Sequence, residues 1–148
     1  MIYVKFHTRF WSDERIKKLT RAEREVFVYL LTNEHINTIG LYKLPLVFGS
    51  HETGINIKEF KQCVDTLSTT GLIQYQHDVE MVYIPNHLKY NPMSNVSQLT
   101  GAITKIIPSL PVKNLPMKLI EELKKMLEYY EDYENQKDNP SQKNQGQI

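Results

Sequence analysis

Apolar and polar residues alternate at the start of the chain. Ile2, Val4, Phe6, Thr8 and Phe10 fall on one face, and Tyr3, Lys5, His7, Arg9 and Trp11 on the other. This period-two pattern predicts a half-buried strand over residues 2–11. "SDERIKKL" then reads as a short helical turn capped by Ser12 or Asp13. Thr20 and Glu23 make a T-x-x-E capping box, which opens a helix to about Asn33. Its second half, "VFVYLL", is apolar all round, as expected of a helix that is buried on every side or shared with a partner. Phe27 and Leu31 in that run are therefore candidates for self-association.

A brief extended segment, "GLYKL", precedes Pro45, which suits the first turn of the next helix, and Gly54 suits a left-handed exit from it. Asn56 and Glu59 repeat the capping pattern and start a helix from Ile57 to about Thr69, with Ile57, Phe60, Val64 and Leu67 on its apolar face and Cys63 at the edge. Gly71 ends it. "LIQYQ" and "VEMVYI" pair as a hairpin across "HD", a weak turn signal. The order predicts an α+β domain, mainly helical with a small sheet: a winged helix-turn-helix over residues 1–90 with an N-terminal strand and extra C-terminal helices.

Residues 91–133 form a helical extension. Val96, Leu99, Ile103, Ile106 and Leu110 recur at 3-4 spacing up to Pro108, which should end any helix there. From Pro116 a further helix carries Leu119, Leu123, Met126, Tyr130 and Tyr133. Leu99, Ile103 and Ile106 either bind a second copy or cover the domain's own core. Residues 134–148 have almost no apolar side chains and should be disordered.

Composition narrows the function more than the fold. The longest wholly apolar run is six residues, too short for a membrane span, and a single cysteine fits a reducing cytoplasm. The net charge of +1 hides an asymmetry: 14 Lys and Arg against 10 Asp and Glu over residues 1–118, and 4 against 7 over residues 119–148. A mildly basic body is compatible with nucleic acid. The five histidines are scattered, no metal-ligand spacing or phosphate-cradling glycine loop occurs, and Cys63 sits at an apolar helix edge. The reading is a non-enzyme without metal or cofactor. On the Ile57–Thr69 helix the outward stripe is Lys58, Lys61, Gln62, Asp65 and Thr69. The lysines could meet phosphates and Gln62 a base edge, whereas Asp65 would repel the backbone. Lys5, Arg9, Lys17 and Lys18 are auxiliary cations, and the wing offers only His77 beside Asp78 and Glu80.

"FWSDERIKKLTRAEREVFVYLLTNEHINTIGLYKLPLVFGSHETG" resembles the N-terminal domain of phage replisome organisers and the related DnaD-like primosomal proteins. The elements that carry it are Phe10-Trp11 with Asp13, "VYLLTN", Asn37, Gly40-Leu41-Tyr42, Pro45, "ETG" at Glu52–Gly54, and the "GLI" before the wing. The likeness covers roughly residues 3–90. It implies a winged-helix module that binds origin DNA, duplex or single-stranded, self-associates as a homodimer or larger, and works with a host helicase or helicase loader in the cytoplasm. Longer members of the family carry a second C-terminal helical domain; the expectation here is a disordered tail over residues 134–148, as in a short member of the family or the N-terminal portion of a longer one. A transcriptional regulator of the same fold and a protein-only adaptor are the alternatives.

Overall fold

The computed structural model describes residues 2–137. It is mainly helical with one three-stranded antiparallel sheet. Short α1 (Glu14–Lys17) starts at Asp13, whose side chain accepts from the Arg15 N–H. Helix α2 (Arg21–Thr32) opens with the complete Thr20–Glu23 capping box, at 3.2 Å one way and 3.0 Å the other. Then follow β1 (Leu41–Lys43), α3 (Leu46–Thr53) and α4 (Ile57–Thr69). Gly54 and Gly71 both take a positive φ, 74° and 79°, at the exits of α3 and α4. Strands β2 (Gln74–Gln76) and β3 (Met81–Tyr83) follow, with sheet order β1-β3-β2.

Strand geometry explains the two cores. Successive side chains leave a strand on opposite faces, so Tyr42 and Val82 enter one apolar cluster with Val26, Leu30, Phe60, Val64 and Leu67 of α2 and α4. Leu41, Met81 and Tyr83 enter another on the far side. That second core is closed by Leu88 of α5 (His87–Tyr90), Leu99 of α6 (Val96–Gly101), and Leu119 and Leu123 of α8 (Met117–Lys137). Helix α6 continues through a widened turn, Ala102–Ile106, into α7 (Ile107–Ser109).

Several sequence expectations need correction. Residues 2–11 join no strand of the sheet. Val4 and Phe10 pack on the first core, but the chain bends at His7, whose carbonyl accepts from the Phe10 N–H, and Phe10–Ser12 form a 3₁₀ turn that breaks the alternation. The connection between β2 and β3 is four residues long, His77–Glu80, with Glu80 at φ 54°. Ile57 is 46% exposed instead of buried. Ile55, just ahead of the Asn56 cap, packs on the cluster containing Phe60 in its place, the arrangement of a hydrophobic staple. Pro108 does not stop the helix at once. The helix ends at Ser109, one residue after it, and the wide turn before it relieves the clash a proline makes with the preceding turn. Helix α8 runs to Lys137, beyond the expected end at 133; residues 138–148 of the expected tail lie outside the described residues.

Candidate nucleic-acid interface

The corner between α3 and α4 is fixed from three sides. Asn56 Oδ1 accepts from the Glu59 N–H at 2.9 Å and caps α4, though the Glu59 side chain does not return the bond as the capping pattern suggests. Gly49 of α3 lies against the buried Phe60 ring of α4. Glu52 ties α3 to α2: it accepts from the Tyr29 hydroxyl at 2.7 Å and meets His35 Nε2 at 2.6 Å. The His35 ring, and after it the Tyr29 hydroxyl, hold the Glu52 carboxyl below the ordinary glutamate value. Burial and the same carboxylate push the Tyr29 phenol far up. A further buried network joins α2 to the sheet: Tyr42 donates to the Leu30 carbonyl at 2.6 Å and accepts from Asn33 Nδ2 at 2.8 Å.

With its inner face locked by Phe60, Val64 and Leu67, α4 presents Lys58, Lys61, Gln62, Asp65 and Thr69 to solvent, as its periodicity predicts. Lys58 and Lys61 form no ion pair among the described residues. Thr69 is less free, because its hydroxyl donates to the Asp65 carbonyl at 2.9 Å. The Asp65 carboxylate pairs with His77 Nε2 at 3.3 Å, so the histidine of the β2–β3 connection is turned onto α4. That contact was missed in the sequence, where the two residues lie in separate elements with no shared periodicity.

The auxiliary cations form a second group. Lys5 and Arg9 line a groove beside α5, Lys17 is paired with Glu14 at 3.5 Å, and Lys18 is exposed. No hydrogen bond or ion pair among the described residues joins this group to the α4 stripe. No protein-family model matches the chain, and no curated protein or solved structure does either.

The residues proposed for self-association divide by burial. Phe27 belongs to the first core and Leu99 to the second, while Leu31, Ile103 and Ile106 are half-buried at their edges. Cys63 lies in the first core and burial raises its thiol pKa, a poor setting for a nucleophile. No helix among the described residues is long and apolar enough to cross a membrane.

Proposed function

We propose that the chain is a winged-helix DNA-binding protein of the replication-initiation type, a replisome organiser that self-associates at an origin and meets a helicase or its loader there. The observation that carries the reading is α4. It is the second helix of a tight helix-turn-helix, anchored along one face and followed directly by a hairpin, with Gln62 and two lysines that form no ion pair among the described residues facing outward. A helix so held can enter a major groove, its lysines on phosphates and its amide on a base edge.

The test is fluorescence anisotropy on duplex DNA titrated across salt. The slope of log affinity against log salt is about −0.9 per neutralised phosphate. A slope of several contacts that falls by about two in Lys58→Ala/Lys61→Ala supports α4 as the reading helix. Binding unaffected by that pair removes it. The Asp65–His77 pair favours a second reading, a protein-only adaptor, since it leaves a carboxylate mid-stripe and takes the wing's cation. Absence of duplex binding at low salt, with recovery of a helicase or loader by the purified chain, would select the adaptor.

A further inference from the structure

The N-terminal arm, residues 2–9, lies on the body without entering the sheet. Apart from the local turn bonds that the His7 and Arg9 carbonyls accept from Phe10 and Ser12, its one backbone hydrogen bond to the body among the described residues runs from the Lys5 N–H to Asn91 Oδ1, at 2.6 Å. Between arm and body is a half-open groove of about 390 Å³, floored by Phe10, Phe27, Leu31 and Ile84. Four cations line it: Lys5, Arg9, Arg15 and Lys89. Its single carboxylate, Asp13, is already engaged, capping α1 and pairing with Arg15 at 3.5 Å. The groove is therefore strongly positive over an apolar floor.

Exposed aromatic rings accompany these charges: Phe6, 43% exposed, and Tyr90, 39%, line the groove, and Trp11, 60%, adjoins Phe10 of its floor. The Tyr90 ring lies 5.6 Å from the His7 ring, with Lys89 Nζ 5.4 Å from its centroid, and Trp11 stands edge-on to Phe10 at 5.0 Å. Large rings left in water beside Lys5, Arg9 and Lys89, which form no ion pair among the described residues, supply the two ingredients of a surface for unpaired bases: positive charge that follows the phosphates, and π-faces on which bases stack whatever their sequence. A duplex cannot use the rings, because its bases are stacked on each other. The groove volume lies within the range of small-ligand pockets, about 300–1,000 Å³, room for one base at a time.

We propose that this groove binds single-stranded nucleic acid, with phosphates along Lys5, Arg9 and Lys89 and bases stacked on Phe6, Trp11 and Tyr90. The surface is distinct from α4, and the inference stands whether or not α4 reads duplex DNA. Trp11 is the only tryptophan, so its fluorescence reports directly on the surface.

The experiment titrates the whole chain with an oligothymidylate of about 12 nucleotides and an abasic oligomer of the same length. The expected result is quenching of Trp11 by the first and not the second, with the abasic strand bound at least about tenfold more weakly. Tyr90→Ala should lower single-strand affinity about fivefold to a hundredfold and leave duplex affinity unchanged; Lys58→Ala/Lys61→Ala should do the reverse. Lys89→Ala, at an exposed side chain that lines the groove, is the second variant, and it should also lower single-strand affinity. Equal affinity for the two oligomers without quenching, or no single-strand binding at low salt, overturns the proposal. So does a Tyr90→Ala variant that changes only the mass measured by light scattering, which would make the groove a contact between protein chains.

Discussion

Replacing Gly49 by alanine sets two effects against each other. Glycine within a helix costs about 1 kcal/mol relative to alanine, so propensity alone predicts that Gly49→Ala stabilises α3. The packing predicts the opposite. A Cβ at Gly49 would stand 2.2, 2.6 and 2.8 Å from three atoms of the Phe60 ring, where ordinary contact begins at 3.4 Å. The ring must retreat by roughly 1 Å, yet it is fully buried and meets Tyr29 edge-on at 6.0 Å. Overpacking costs about 1–3 kcal/mol, and a clash with three ring atoms belongs at the upper end. The net effect is a loss of about 2 kcal/mol, or about 4–8 °C in melting temperature for a chain of this size. Thermal and urea unfolding of Gly49→Ala, Phe60→Leu and the double variant measure it. The smaller side chain frees the space, so the pair should couple by about 2 kcal/mol. An alanine variant that melts higher than the parent, or strictly additive effects, would refute the close approach of α3 to α4 and with it the placement of Lys58 and Lys61.

Tyr42→Phe should cost about 1–2 kcal/mol in urea unfolding, because it removes one acceptor of the buried Asn33 amide and the closer of two donors to the Leu30 carbonyl, and should leave any DNA affinity untouched. Glu52→Gln should cost about 0.5–1 kcal/mol at neutral pH, a small figure because the ion pair is partly exposed. The folded state holds this carboxyl below the unfolded value, so its contribution is full above the ordinary glutamate range and disappears as pH falls through the lower folded value. Stability curves of parent and variant should therefore converge in acid; a gap that persists would contradict the assignment. Asp65→Asn removes the carboxylate from the α4 stripe and releases His77, and should raise duplex affinity about twofold to fivefold at low salt; unchanged or weaker binding would count against α4 as a DNA-facing helix.

Local chemistry was the legible part of the sequence. Thr20 with Glu23, Asn56, Gly54 and Gly71 mark element ends through groups only a few residues apart, and the structure places helix boundaries at each. The errors arise where distant partners decide. Alternation over residues 2–11 is a true pattern, but a strand also needs a neighbour, and only the tertiary fold shows that β1 and β2 form the sheet edges without it. Ile57 fits the apolar period of α4 yet lies at its first position, where Ile55 takes the place against the core. The α4 stripe itself followed from period alone. The Asp65–His77 contact and the groove beneath the arm each require elements far apart in the chain to meet, and nothing in local spacing announces them.

The sheet also decides what the C-terminal extension does. Each three-residue strand sends alternate side chains to opposite faces, so the domain of α2, α3 and α4 covers only half of its apolar surface. Leu41, Met81 and Tyr83 would face water without α6 and α8. Leu119 and Leu123 are almost wholly buried there and contribute about 1.5–3 kcal/mol each, together comparable with much of the 5–15 kcal/mol that holds a typical domain. Truncation after Leu115 should therefore give a chain that binds a hydrophobic dye, is cleaved rapidly by protease and associates non-specifically on a sizing column, instead of a cleaner domain. A truncated chain that stays monomeric and melts within a few degrees of the full one would show that α8 is an independent appendage. The expected result instead assigns the extension to the domain's own core, which leaves α4 and the groove under the arm as the surfaces open to a partner.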